Sequence, residues 1–441
     1  MGHPPVRVSI IAINYAPERT GIAPYTTGLA TGLAERGYQV QVLTGFPHYP
    51  QWARDRTTSG FRLQQKIDGV NVRRFSHYVP QVLSWPGRGA MELTFGLQLM
   101  VTRWGRPDVV LCMTPPLLST AMSAFRTRLT PRRPALGVVV QDLYGRGAAE
   151  TGAVSEPSVK VAEAVESTAL RLADGVAVIH SGFIDDLVRH LGVDRRRICE
   201  IRNWNHVEAP DTVASRVYRQ DHNWGEDEVI VLHAGNMGYK QGLENVIAAA
   251  KVAERSGTGV RFVLLGDGNQ RASLEAAGAG IRNLEFLPPV TEGVFPTVLG
   301  AADVLLVNER PGVAQMAVPS KLTSYFKAGK PVLGATDAAG FTASELAASG
   351  AGVCVPAGRP DLLVRESLRL GTDSTLGAQL GAAGRRYCAE VLSEKTALDR
   401  YEQWIINLAD MRHRGFPEPV MTARKSAAVH DGERPWAYEN H

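Results

Sequence analysis

The sequence predicts an α/β protein built from two doubly wound, Rossmann-like domains that face each other across a cleft. Short, apolar, β-rich runs alternate with amphipathic helical stripes along most of the chain, the pattern of parallel sheets covered on both faces. The alternation lapses once, over residues 203–227, into a polar stretch containing Pro210, Asp211, Asp221 and Asn223, and then restarts. A chain of 441 residues also exceeds what one hydrophobic core ordinarily serves.

In the first half, strands are expected over residues 6–13, 39–44, 108–112, 136–141 and 175–179, with helices over 25–35, 163–172 and 185–191. In the second, strands are expected over 229–233, 261–265, 284–287, 304–307, 332–334 and 353–355, with a helix over 243–255. The expected division is a first domain at 1–205, a linker and hinge at 206–227 and a second domain at 228–391. Residues 392–411 read as one more helix, with Tyr401, Trp404, Ile405 and Leu408 on a shared face. The tail 412–441 is polar, carries Pro417, Pro419 and Pro435, and is expected to be disordered, with Trp436 and Tyr438 as the residues that could dock.

Composition narrows the function classes. With 44% hydrophobic and 21% charged residues, the chain can bury a sizeable core. A formal charge of +4, with acids and bases interspersed, gives nucleic-acid binding no support. Cys112, Cys199, Cys354 and Cys388 show no metal-ligand spacing, so a reducing compartment and no zinc site are expected. The first residues lack a signal-peptide pattern, and no apolar run reaches the roughly 18 to 20 residues of a membrane span. The expectation is a soluble cytoplasmic protein.

Ligands of open parallel sheets sit at the carboxyl ends of the strands, so the chemistry is expected in the loops after strands. Pro319-Ser320-Lys321-Leu322 follows a buried strand and opens a helix that leaves through Ala328-Gly329-Lys330-Pro331-Val332. Such a helix start gathers unpaired N–H groups and the positive end of the helix dipole, which suits a phosphate. Gly235, Asn236, Gly238, Lys240 and Gln241 follow another buried strand and are able to hold a diphosphate through amides and one cation. Gly266-Asp267-Gly268-Asn269 follows a third, without the spacing of a dinucleotide fingerprint. In the first half, Gly21 lies in the loop at 14–23, where an ordinary tight turn explains it equally well. Gln141 and Asp142 end a buried strand; Asp142 is a candidate to orient or deprotonate an acceptor hydroxyl, or simply to cap the next turn. His180 ends the strand at 175–179 and is either a cleft residue or a structural histidine.

In this order the loops resemble glycosyltransferase family 4, the retaining nucleotide-sugar enzymes of the GT-B fold, up to about Met411. The likeness is to the exopolysaccharide, capsule and O-antigen branch. It is carried by Asn14-Tyr15-Ala16-Pro17 with Gly21-Ile22, Thr44-Gly45-Phe46-Pro47-His48-Tyr49-Pro50, Gln141-Asp142-Leu143, Asn203-Trp204, Gly235-Asn236-Met237-Gly238, Gln241-Gly242-Leu243-Glu244 and Pro319-Ser320-Lys321-Leu322.

The resemblance implies a donor site in the second domain. Gly235, Asn236, Gly238, Lys240 and Gln241 would lie at the diphosphate, Gly266 to Gly268 near the base, and Ser320 and Lys321 at phosphate or sugar. Gly21 and Ile22 would close the cleft from the first domain, Asp142 would sit near the acceptor, and the helix at 392–411 would cross back onto the first domain. Two positions depart from the family. Ser324 stands where a glutamate commonly holds the donor ribose, and Met316 stands at its usual partner seven residues earlier; Glu309 is a candidate for a relocated contact.

The expected reaction is metal-independent transfer of a sugar, with retention, from a nucleotide diphosphate sugar to an acceptor hydroxyl. No cofactor is expected beyond a nucleotide diphosphate sugar as co-substrate. Asp142, Lys240 and Lys321 are the catalytic candidates, and the acceptor is a sugar, glycolipid or lipid-linked species. The competing readings are an impaired nucleotide-sugar-binding protein and a GT-B epimerase or phosphorylase. Residues 83–104 and Arg126, Arg128, Arg132 and Arg133 leave peripheral contact with the inner face of the cell membrane open, beside ordinary core packing.

Overall fold

The computed structural model describes residues 6–19, 21–49, 51–54, 60–81, 84–143, 156–312 and 320–414, with 412–414 described by backbone alone. Met316, Pro319, Trp436, Tyr438 and the tail beyond 414 lie outside the described residues.

Eight strands make the first sheet: β1 (Arg7–Ile11), β2 (Gln39–Gly45), β3 (Arg62–Ile67), β4 (Val70–Phe75), β5 (Val109–Met113), β6 (Ala135–Val140), β7 (Gly175–Val178) and β8 (Ile198–Glu200). Their order is β3-β4-β2-β1-β5-β6-β7-β8, parallel except for the antiparallel β3–β4 pair. Strict alternation sorts its side chains. Val8, Ile10, Val40, Val42 and Leu111 face one layer, and Ile11, Leu43, Val110, Cys112 and Val138 face the other.

The second sheet is wholly parallel, in the order β11-β10-β9-β12-β13-β14. Its strands are β9 (Val229–Ala234), β10 (Val260–Leu265), β11 (Leu284–Leu287), β12 (Val304–Asn308), β13 (Val332–Ala335) and β14 (Gly352–Val355). The expected fold class of two doubly wound units is what the chain adopts.

The sequence did not announce the β3–β4 hairpin or β8. β3 reads Arg-Leu-Gln-Gln-Lys-Ile at the sheet edge, with no residue fully buried, so it lacks the apolar run that marks its neighbours.

The expected linker at 206–227 is also corrected. It contains the helix Thr212–Asp221, whose Asp211 cap accepts from the Ala214 amide at 2.8 Å. This helix is fastened to the second domain: Ser215 Oγ donates to the Thr297 carbonyl at 3.0 Å, and Arg219 pairs with Asp303 at 2.9 Å. Its anchors are polar while Val213 and Val217 point to solvent, so hydrophobic periodicity had nothing to report.

The last helix, Glu394–Arg414, crosses back to the first sheet and buries Tyr401, Trp404, Ile405 and Leu408 among Leu29, Leu33 and Val139. Two glycines make room for it. A Cβ on Gly137 would stand 2.7 Å from the Trp404 ring, and one on Gly175 would stand 2.9 Å from its Nε1. Arg36 adds contacts to Asp399 at 2.6 Å and Glu402 at 2.7 Å. Trp404→Ala should therefore open a cavity that the glycines cannot fill, at a cost of about 3–5 kcal/mol in urea unfolding of the first domain.

Candidate active site

β9, β10 and β12 run parallel, so their carboxyl ends deliver three loops to one edge of the second sheet. The loops after β9 and β10 are sewn together by main chain. The Gly235 amide donates to the Leu265 carbonyl at 2.8 Å, the Met237 amide to the Asp267 carbonyl at 2.8 Å, and the Gln270 amide to the Met237 carbonyl at 3.0 Å. At Gly266, φ is +134° and an added Cβ would lie 2.0 Å from the Gly235 carbonyl oxygen, so only glycine fits. A Cβ on Gly268 would meet the Met237 carbonyl oxygen at 2.5 Å. Asp267 caps its own turn by accepting from the Gly268 amide at 2.8 Å.

The helix Lys321–Ala328 begins at this edge with Ser320 as its N-cap residue, and Ser320 makes no side-chain cap bond. Lys321 stands half-buried in the first turn, with its Nζ 3.2 Å from His233 Nε2 and 3.8 Å from where a Gly235 Cβ would be. Burial lowers its ammonium to about 7, while nearby Glu309 acts to raise it. His233 is held neutral: burial, then Lys321, push its pKa well below the usual value. The Glu309 carboxyl is raised by burial and takes hydroxyl donors from Thr342 at 2.7 Å and from Thr336. Ser324 is buried in the same helix.

Gly235 and Asn236 are exposed at the site, and Gly238 is partly so. Gln241 is spent on structure, since its Oε1 accepts from the Gly238 amide at 3.1 Å. Asn308 fixes the same turn by donating to the Gln241 carbonyl at 2.7 Å and the Gly242 carbonyl at 2.9 Å. The Lys240 carbonyl accepts from the Arg310 amide at 2.9 Å, while Arg310 stacks over the Tyr239 ring at 3.8 Å. The Lys240 side chain meets the first domain electrostatically. Burial raises the Asp142 carboxyl to about 6, opposed by Lys240 across the cleft and by Arg88 from its own domain.

Opposite, the loop after β1 is organised by a residue that sequence reasoning missed. Glu18 is buried, and its carboxylate accepts from Asn14 Nδ2 at 3.0 Å and from the amides of Tyr15 at 3.1 Å, His48 at 2.8 Å and Tyr49 at 2.8 Å. Buried Arg74 donates to the Gly45 carbonyl at 3.1 Å and to that of Ala16, joining the same two loops. Gly21 has φ of +66°, and its added Cβ would meet Tyr49 Cε1 at 3.4 Å. Tyr49 in turn stands within electrostatic reach of Arg88, Glu18 and Asp142.

Two first-domain candidates are placed differently from expectation, and a third takes the structural one of the two roles that the sequence left open. Ile22 packs back on the core beside Leu29 instead of closing the cleft. Gln141 is locked to Asn203 by a reciprocal amide pair at 2.7 and 3.3 Å. His180 has both ring nitrogens engaged: Nδ1 accepts from the Gly182 amide at 2.9 Å, so Nε2 donates to Glu345 of the second domain at 3.1 Å. Arg202 pairs with the other Glu345 oxygen at 2.6 Å. His180 thus belongs to the contact between the domains and does not face the ligand space.

The structure therefore gathers Gly235, Asn236, Gly238, Gly266, Gly268, Lys321 and Glu309 at one edge, with Lys240 reaching toward Asp142. A Glycosyl transferase 4-like domain model matches residues 20–204, and a Glycosyl transferases group 1 model matches residues 215–387. The chain is a GT-B glycosyltransferase. This glycosyltransferase is 30% identical over 336 residues to the putative colanic acid biosynthesis glycosyl transferase WcaI of Escherichia coli K12, covering 74% of the chain and 82% of the relative. Sucrose-phosphate synthase from Thermosynechococcus elongatus shares its fold with a TM-score of 0.69 at 16% identity, over 91% of the chain and 99% of that structure. HepE of Anabaena, solved with UDP-glucose, does so with a TM-score of 0.66 at 14% identity, over 90% and 98%. The resemblance read from the motifs is borne out.

For this glycosyltransferase the loop packing gives a direct test. Gly266→Ala should displace the Gly235 loop, lowering the thermal midpoint and weakening nucleotide binding together, as read by calorimetry on the purified chain.

Proposed function

We propose that the protein transfers a sugar from a nucleotide diphosphate sugar to an acceptor hydroxyl, with retention at the anomeric carbon, in assembly of a cell-surface polysaccharide or glycolipid. The observation that carries this reading is Lys321. A half-buried cation in the first helical turn, 3.8 Å from the open face of Gly235, is suited to the negative charge of a diphosphate. The names of the relatives support the class of product and donor: one is a putative colanic acid enzyme, and one was solved with UDP-glucose.

In the proposed step the bond between the anomeric carbon and the diphosphate oxygen breaks, and a bond to the acceptor oxygen forms on the same face. The acceptor proton passes to the departing diphosphate. Lys240 and Lys321 stabilise the charge that develops on that diphosphate, a contribution that grows toward the transition state. Asp142 holds the acceptor hydroxyl from the opposite wall. The scheme uses no metal ion, so a chelator should leave turnover unchanged.

Lys321→Ala should reduce kcat/KM by roughly 10²- to 10³-fold. The thermal midpoint should not fall, because the variant removes a cation that burial already disfavours. Unchanged turnover would remove Lys321 from the mechanism.

The pH dependence follows from the two shifted groups. Asp142, raised to about 6, is protonated and ineffective below that pH. Lys321, lowered to about 7 by burial, is neutral above it and must take up a proton to meet a diphosphate. Donor affinity should therefore fall with rising pH above about 7, by up to about tenfold per unit until the bound-state pKa is reached. Lys321→Ala should abolish that slope and Asp142→Asn the acid limb of kcat/KM. Calorimetry in buffers of different ionisation enthalpy measures the proton uptake directly.

Incubation with UDP-, GDP- and TDP-sugars, followed by mass spectrometry and NMR of the anomeric centre, tests the whole reading. Ser324 stands where the family commonly keeps a ribose-binding glutamate and favours one second reading. Donor binding without product from any acceptor would identify a binding protein instead.

A further inference from the structure

Two helices of the first domain, Trp85–Val101 and Leu117–Leu129, cover the sheet face opposite the returning C-terminal helix. They run side by side in the same direction: Glu92 accepts from the Leu118 amide at 3.0 Å, and Arg126 donates to the Leu99 carbonyl. Their inner residues Met91, Phe95, Leu99 and Ala124 are core. Their outer residues are apolar as well. Leu93, Leu97 and Val101 recur every four residues on one helix, Phe125 and Leu129 on the other, and all five are between 45% and 71% exposed.

The charge on this face has one sign. Residues 84–107 and 114–134 contain seven arginines, and their one acid, Glu92, is buried. Buried Asp174 takes Arg128 at 3.3 Å and Arg133 at 2.9 Å from the neighbouring strand end, while Arg103, Arg106 and Arg132 are exposed. The next helix, Glu156–Leu172, carries Glu156 and Glu163 on its exposed side, so the basic character stops there. Among the described residues no helix is long and apolar enough to cross a membrane.

We propose that this two-helix face docks on an anionic lipid bilayer, with Leu93, Leu97, Val101, Phe125 and Leu129 entering the acyl boundary and the arginines meeting lipid phosphates. Apolar tips among arginines, with no exposed acid among the described residues of 84–107 and 114–134, complement such a bilayer. The first helix spans about 25 Å, and Arg88 in its first turn acts on Asp142. The docking surface therefore starts beside the cleft and would hold the acceptor side next to the lipid headgroups. That orientation rests on the acceptor reading of Asp142; the docking itself does not.

Sedimentation of the full chain with vesicles of phosphatidylcholine alone, or with one third phosphatidylglycerol, tests the proposal. The wild type should partition onto the anionic vesicles about tenfold more strongly, and added salt should reverse this. The variant Leu97→Ser, Val101→Ser, Phe125→Ser, Leu129→Ser should lose binding on the order of tenfold, as should Arg103→Glu with Arg106→Glu. Both should keep the wild-type thermal midpoint, because the altered side chains are exposed. Failure of the wild type to bind, binding undiminished in the Ser variant, or a light-scattering dimer abolished by that variant while vesicles are ignored, would overturn it. Donor binding, measured separately by calorimetry, stands or falls with the active-site reading and is unaffected by these variants.

Discussion

Among the described residues the ammonium of Lys321 is incompletely compensated at the edge of the second sheet, and much of the site is arranged around that fact. His233 lies against it but is neutral, and Glu309 divides its carboxyl between two threonine hydroxyls. A buried charge without a full partner is costly, so an arriving anion is favoured by completing the set. The glycines at 235 and 266 serve the same end. They let two loops close on each other without side chains between them, which leaves the backbone of Gly235 open beside the cation.

The two halves are joined by unequal contacts. At the back, Glu345 receives His180 and Arg202 in a buried cluster, and these two ligands hold its carboxyl below the usual range against the opposing effect of burial. At the front, Arg19 meets Glu292 at 2.9 Å, but both side chains are more than half exposed. Exposed pairs contribute little, whereas breaking a buried one leaves a desolvated charge behind. Of the two contacts, the Arg19–Glu292 pair is therefore the one that parts at the lower cost. Glu18 and Arg74 keep the two front loops of the first domain moving as one piece.

What the sequence disclosed was local. A buried strand followed at once by glycine, or by a helix start with a lysine, announces itself within ten residues, and the loops at 235–242, 266–269 and 320–322 that meet at one edge of the second sheet were legible for that reason. Glu18 was invisible because its partners are amides some thirty residues away, and amides carry no sequence signature. Gln141 and His180 were seen as polar groups at strand ends, yet their roles are set by Asn203 and Glu345, which only the tertiary fold brings near. In the helix Trp85–Val101 the inward Phe95 and the outward Leu97 are equally apolar, so periodicity could not separate core from surface. The helix Thr212–Asp221 failed the opposite way, being fixed by hydrogen bonds and an ion pair.

The return of the C-terminal helix also bears on how the chain is made. Strands β1 to β8 leave the ribosome long before Trp404 does, and domains generally fold in the order of synthesis. Throughout translation of the second half, the shelf at Gly137 and Gly175 has no lid of its own. The nascent first domain must wait, with part of its core open to chaperones or to self-association, until the segment that seals it has been made.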